Sequence, residues 1–258
     1  MFGAAKIRPA LEGLLNWIYP EKCRQCDAAI YVARPADKSV LSAAPFFCCD
    51  CWGNIEGVGP FCCPLCAFPF QSEVTLSHSS NHVCGDCRAE PPYFTKAVTP
   101  YRYEGALAKA IQLFKYEEQV ALAKPLAHLL IDELKGIKID LVTAVPLHPV
   151  KLRSRSFNQS LLLAKRVASH FGWPFYVDVM CRTRETMPQV GLSKKARQKN
   201  MRGVFCVQGK DRILNKHILL IDDVYTTGAT LKEGAKTLMK ADAKAVIVAA
   251  PVRMIFGV

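Results

Sequence analysis

Long apolar runs are missing from this chain. No stretch approaches the roughly 20 consecutive apolar residues that a membrane-spanning helix needs, so an integral helical membrane protein is excluded. Low-complexity tracts are missing too, and the only internal repetition is one of cysteine pairs. With 50% hydrophobic residues the chain is globular, and its 258 residues suffice for one core of ordinary size plus a small module. The N-terminal segment is not expected to be a secretory leader. Leu11, Leu14, Leu15, Trp17 and Ile18 fall at helical spacing, but Lys6, Arg8 and Glu12 interrupt them and no small-residue cleavage site follows. Segment 1–20 is therefore expected as an amphipathic helix packed on its own protein.

Acid is scarce in the larger part of the chain. Residues 1–91 hold 7 Lys/Arg against 9 Asp/Glu, whereas residues 92–258 hold 27 against 13, a balance of +14. Such an excess suits either a polyphosphorylated small ligand or a nucleic-acid surface, and composition leaves both open. Aromatic residues are sparse among these cations, with only Phe157 close in sequence. Any nucleic acid is thus expected to bind weakly and without sequence preference, on Arg182–Arg202 and Lys151–Arg155.

Cysteine is scarce everywhere except in one segment. Ten of the twelve lie between 23 and 87, eight of them as the pairs Cys23/Cys26, Cys48/Cys51, Cys63/Cys66 and Cys84/Cys87. A Cys-x-x-Cys turn aims two thiolates at one tetrahedral ion, and 17 residues between the last two pairs match a zinc-ribbon spacing. The first two pairs are separated by 21 residues. With 1–20 read as a helix of the protein itself and not as a leader, a disulfide framework is not expected, and structural zinc and a cytoplasmic location are. One or two ions, and sequential or alternating pairing, stay open. Cys49 and Cys62 are extras, and His78 and His82 are expected to face solvent. Cys181 and Cys206 are expected as inert core thiols. The segment 21–91 is too small to bury a core of its own, which suits a metal staple.

Ile218 to Leu231 carries the chemistry. Four apolar residues run into Asp222 and Asp223, then Thr226, Thr227, Gly228, Ala229 and Thr230 precede a helical pattern. The apolar run reads as a strand buried on both faces, and ligands of parallel sheets sit beyond the carboxyl ends of such strands. Hydroxyls, backbone N–H groups and a Gly at a helix start cradle a phosphate. Two acids beside that cradle suit a sugar phosphate, with the acids on the ribose hydroxyls. This stretch resembles the phosphoribosyl pyrophosphate (PRPP) signature of type I phosphoribosyltransferases. The resemblance implies Asp222 and Asp223 as the catalytic, ribose-holding pair and residues 226–230 as the 5′-phosphate loop.

Pro91-Pro92 marks the expected boundary of a second domain over 92–258. Strands are expected over 94–103, 139–145, 175–179, 203–207, 217–221 and 245–250. Helices are expected over 106–116, 120–134, 157–171 and 229–241. The alternation predicts an α/β fold with a mostly parallel sheet and helices on both faces. Between 139–145 and the next helix, Pro146, Leu147 and His148 lead to Lys151, Arg153 and Arg155, a proline-constrained loop expected to hold pyrophosphate. Residues 182–202 carry seven basic residues against Glu185 alone, a mobile arm ahead of a short basic helix.

The four cysteine pairs, Tyr101-Arg102-Tyr103-Glu104-Gly105, Val145 to Gln159, Pro188-Gln189-x-Gly191-Leu192, Asn200-x-x-Gly203-x-Phe205 and Ile221 to Thr230 together resemble the ComF family of competence-associated proteins. The match covers nearly the whole chain. One departure is Ser156, where the family usually has Gly before Phe-Asn-Gln; a positive φ there would strain it. The resemblance implies a zinc finger ahead of a phosphoribosyltransferase-like domain that binds PRPP with Mg²⁺, and an arm that closes over PRPP. The alternative it carries is a non-catalytic or PRPP-regulated protein of DNA uptake, with single-stranded DNA and competence proteins as partners. No residue announces an acceptor. DNA and PRPP are expected to compete, because the same cations would face both.

Overall fold

The computed structural model describes residues 20–30, 43, 45–70, 82–186 and 193–255. Residues 1–19 of the expected N-terminal helix, His78 and the Pro188–Leu192 part of the arm lie outside the described residues.

In the Cys-rich segment a short antiparallel pair, β1 (Glu21–Lys22) and β2 (Ala29–Ile30), is followed by helices α1 (Cys49–Gly53) and α2 (Gly85–Ala89). The rest of the chain alternates. Strands β3 (Lys96–Val98) and β4 (Tyr101–Arg102) precede helices α3 (Gly105–Tyr116) and α4 (Ala123–Leu134). Strand β5 (Leu141–Ala144), helices α5 (Pro149–Arg155) and α6 (Gln159–Phe171), and strand β6 (Met180–Arg182) come next. Helix α7 (Lys194–Met201), strands β7 (Phe205–Val207), β8 (His217–Ile221) and β9 (Val224–Tyr225), helix α8 (Ala229–Lys240), and strands β10 (Ala245–Ala249) and β11 (Val252–Arg253) complete it.

The main sheet has the order β3-β10-β8-β5, with every neighbouring pair parallel. Ile218, Leu219, Leu220 and Ile221 of the central strand are all fully buried, as a strand covered on both faces requires. Alternate residues serve different cores. Leu219, Ile221, Ile247 and Val142 pack with α3, α4 and α6, while Ile218, Leu220, Val246 and Leu141 pack with α7, α8 and the β6–β7 pair. Gly234 lets α8 approach closely, since a Cβ there would lie 2.7 Å from Leu220 Cδ2. The mostly parallel α/β sheet with helices on both faces is therefore observed, and the antiparallel β6–β7 pair stands outside that sheet.

The same three chain segments pair twice. After β3, β10 and β8 end, two residues of each intervene, and β4, β11 and β9 then form a second parallel sheet in the same order. The single strand expected over 94–103 is thus two strands in two sheets. Asp222 and Asp223 are the residues that span the interruption in the central segment.

Three local expectations are corrected. Residues 175–179 make only one bridge, Phe175 to Val142, and the regular strand starts at Met180. The proline-constrained stretch is helical from Pro149 to Arg155: Pro149 takes the first helical position, where its missing N–H is no loss, and His148 Nδ1 accepts from Val150 N–H. Cys181 and Cys206 are not separate thiols. They are register partners across β6–β7, their Cα atoms 5.3 Å apart and their sulfurs joined. The strain expected at Ser156 is present. It ends α5 at φ 60°, and its hydroxyl donates to Glu118 Oε1 at 2.8 Å. A 3₁₀ turn over Val120–Leu122 precedes α4, so the expected helix over 120–134 starts at Ala123 and Pro125 falls in its first turn.

Candidate functional site

Strand β8 delivers the two acids to its carboxyl end, and their surroundings come from elements remote in sequence. Lys115, in the last turn of α3, places Nζ 2.9 Å from Asp223 Oδ1, with both side chains largely covered. Ser160, in the first turn of α6, donates its hydroxyl to Asp222 Oδ1 at 2.8 Å, and the Asp223 N–H donates to the same oxygen at 2.9 Å. Asn158 fixes the start of α6. Its Oδ1 accepts from Leu161 N–H, and its Nδ2 donates to the carbonyl of Val145 at the end of β5. Burial, and then the Asp223 charge, raise the Asp222 carboxyl to about 6, while Lys115 and Ser160 pull it back. Burial pulls the Lys115 ammonium down, but Asp223 and Asp222 more than offset this and hold it charged.

Arg182 of β6 stands on the other side of the acids. Burial lowers its pKa, and the nearby Asp222 opposes that shift. Lys151 of α5 is lowered by burial and by its neighbours Arg182 and Arg155. The expected pyrophosphate residues therefore divide. Lys151 lies beside Arg182, Arg155 lies over the Tyr116 ring at 5.4 Å, and Arg153 is exposed. Pro146, Leu147 and His148 form the turn into α5, with His148 as its cap. The lone basic residues were legible in sequence; Lys115 and Ser160 were not, because neither lies in a motif.

Beyond the acids, β9 leads into Thr226, Thr227 and Gly228. The cap residue of α8 is Gly228, which has φ 75° and no side chain to cap the helix. The Thr227 hydroxyl is buried without a hydrogen-bond partner. An uncapped helix start beside an orphaned hydroxyl is a fitting cradle for an anion. The floor of the loop is Tyr225: a Cβ on Gly228 would lie 2.3 Å from its hydroxyl oxygen.

The cysteines form two groups of four, Cys23/Cys26/Cys48/Cys51 and Cys63/Cys66/Cys84/Cys87, each with its sulfurs within 4.8 Å of one another. Pairing is thus sequential. Cys26 to Cys48 is 3.8 Å and Cys66 to Cys84 is 3.6 Å between sulfurs. Four sulfurs at about 2.3 Å from a tetrahedral ion would be about 3.8 Å apart, so both groups fit a metal. The first group belongs to the α3/α4/α6 face of the sheet and the second to the α8 face. The second is fully buried. Cys49 and Cys62 belong to neither, and His82 packs on the Phe70 ring at 5.3 Å. Among the described residues no helix is long and apolar enough to cross a membrane.

Comparison with known proteins agrees with this geometry. Residues 158–254 match the phosphoribosyl transferase domain family. Competence protein F of Haemophilus influenzae is 30% identical over 210 residues, covering 76% of this chain and 91% of the relative. DNA utilization protein YhgH of Escherichia coli is 31% identical over 191 residues, covering 71% of this chain and 80% of the relative. A solved adenine phosphoribosyltransferase from Thermoanaerobacter pseudethanolicus overlaps 54% of this chain and 83% of its own at 14% identity with a TM-score of 0.34, too low to add to the strand order above.

Gly228→Ala should displace the loop, because its Cβ meets the Tyr225 ring and its φ is positive. The expected result is a loss of about 1–3 kcal/mol in stability and at least about tenfold weaker binding of ribose 5-phosphate. Thermal melts and calorimetric titration measure both. Wild-type affinity in the variant would show that Tyr225 does not support the loop.

Proposed function

This chain belongs to the ComF family, and from that premise we propose that it binds PRPP with Mg²⁺ and transfers the phosphoribosyl group to an acceptor in the cytoplasm, with a zinc-bearing module over 21–91 ahead of the transferase-like domain over 92–258. The carrying observation is the order of parts along one chain segment. A buried strand ends in two acids at a break between sheets, and an uncapped helix start with an orphaned hydroxyl follows within eight residues. Asp222 and Asp223 accept from the ribose hydroxyls, residues 226–230 take the 5′-phosphate, and Arg182 and Lys151 face the pyrophosphate. In the reaction the bond from ribose C1 to pyrophosphate breaks and the acceptor's electron pair forms the new bond at C1. Arg182 and Lys151 stabilise the negative charge that collects on the departing group. Mg²⁺, when bound, supplies further neutralisation of that charge. Lys115 keeps the paired acids from repelling each other outright before the sugar arrives.

The supporting metal reading is zinc, because four thiolates in a buried tetrahedral group suit that ion. Purified reduced protein should contain two zinc ions per chain by elemental analysis. Metal-free protein with the eight cysteines oxidised in pairs would contradict it.

Asp222→Ala combined with Asp223→Ala should abolish Mg-PRPP binding in calorimetry while circular dichroism shows the fold retained. The raised carboxyl adds a pH test. A carboxyl lifted from 3.8 to about 6 stabilises the folded state below its unfolded value, and that contribution is lost as pH rises through about 6. Asp222→Asn should therefore melt higher than the natural protein at pH 8 and gain little at pH 4. An equal gain at both pH values would place the Asp222 charge elsewhere than in a costly site.

A second reading, a nucleic-acid strand as partner, has one observation in its favour. A groove of about 380 Å³ between α7, α8 and residues 90–93 is lined by Lys199, Arg202, Lys232 and Lys236. Its carboxylates are engaged, Glu90 by the Gln198 amide at 3.1 Å and Glu233 by the Gly203 N–H at 2.8 Å. Tyr93, 51% exposed, lies at its rim with the Lys236 ammonium 5.7 Å from the ring centre. Phe157 is no platform, since it packs on Phe114 at 5.8 Å. The groove takes Lys199 and Arg202 from the arm and Ala229 from the 226–230 loop, so single-stranded DNA is expected to compete with PRPP. Single-stranded DNA should bind with an affinity falling by about 0.7 decades per decade of salt for each phosphate neutralised, and Tyr93→Ala should cost about 1–3 kcal/mol. No binding at low salt, or an indifferent Tyr93→Ala, would remove this reading.

A further inference from the structure

We infer that Arg253 is a positioning residue that ties the second cysteine centre to the sugar-phosphate loop, so that occupancy of that centre by metal sets the loop's affinity for a phosphate monoester. The inference rests on the reading of 226–230 as the phosphate cradle. Arg253 is only 3% exposed, and no carboxylate pairs with it among the described residues. A buried guanidinium without a counter-charge costs several kcal/mol. Its surroundings identify the compensation. Nη1 donates to the carbonyl of Cys66, one of the four ligands, and to Thr99 Oγ1 at 3.4 Å. The guanidinium carbon lies 4.5 Å from the Tyr225 ring centre and 5.5 Å from that of Phe68. Two aromatic faces attract the cation, and a dication held by four thiolates carries a net double negative charge beside it.

The other side of this contact is the loop. Arg253 and Tyr225 are register partners in the β11–β9 pair, and the N–H of Met254 donates to the Tyr225 carbonyl at 2.9 Å. Tyr225 in turn fills the space beneath Gly228. Cys66, Cys87, Tyr225, Thr226, Thr227 and Arg253 all line one cavity of about 240 Å³. Metal centre, guanidinium, phenol ring and phosphate loop are therefore consecutive layers. Without metal, Arg253 loses its anion, the stack on Tyr225 loosens, and the loop loses its floor. The first cysteine centre offers a built-in control, because it packs on the opposite face of the sheet with α3, α4 and α6.

The test uses the full, metal-loaded chain with ribose 5-phosphate as probe. Metal content is measured by elemental analysis, affinity by calorimetry, and loop order by amide hydrogen exchange over residues 225–232. Cys87→Ser should lose one metal ion, weaken ribose 5-phosphate at least about tenfold and speed exchange in the loop. Cys51→Ser should lose one metal ion and leave affinity and loop exchange within about twofold. Arg253→Met should keep both ions yet weaken the probe like Cys87→Ser, with Arg253→Lys in between, since an ammonium restores the charge but not the planar stack. Equal effects of Cys51→Ser and Cys87→Ser, or wild-type affinity in Arg253→Met, would overturn the link. Should the natural chain not bind ribose 5-phosphate at all, the cradle reading fails. Loop exchange then still decides the link: faster in Cys87→Ser alone supports it, and no difference between the two cysteine variants overturns it.

Discussion

Two adjacent carboxylates in a half-buried break between parallel sheets are the constraint around which the rest is arranged. Like charges side by side, removed from water, oppose folding, and here burial and then the Asp223 charge raise the Asp222 carboxyl. The protein meets this with a lysine from α3, a serine from α6 and an arginine from β6. Those three elements come from both faces of the sheet. The acids thus hold the two halves of the molecule in register while remaining open at the strand ends.

The cysteine segment follows a related logic. It lacks the apolar residues for a core of its own, so each group of four thiols completes one of the two cores beside the sheet. Backbone bonds stitch it in place: Ala97 N–H donates to the Leu65 carbonyl, Val58 N–H to Pro100, and Arg102 N–H to Glu56. The two cysteine groups are therefore positioned by the sheet as much as by their own turns. That is why the second group shares a cavity with Thr226 and Thr227 while the first lies across the sheet.

Much of the candidate site was legible in the amino-acid order. The apolar run ending in Asp222-Asp223, the Thr-rich loop with Gly228 and the four Cys-x-x-Cys pairs are each set by neighbours within a few residues. The buried strand over 217–221, the helix start at 229 and even the strain at Ser156 follow from local sterics and are found where the sequence places them. The helix at Pro149–Arg155 was missed because two prolines read as a loop, although a proline at the first helical position is compatible with a helix.

What only the tertiary structure decided is how buried charge and buried sulfur find partners. Ser160 lies 62 residues from Asp222, and Arg253 lies 187 from Cys66. Sequential rather than alternating cysteine groups, the Cys181–Cys206 link across a strand pair, and Tyr93 at the rim of a basic groove are of the same kind. No local pattern encodes them, because the cost of an unpaired buried group is settled by whatever the packed fold brings within a few ångströms. The sequence by itself determined the chemistry at each strand end and turn; the fold decided which of those ends share a site.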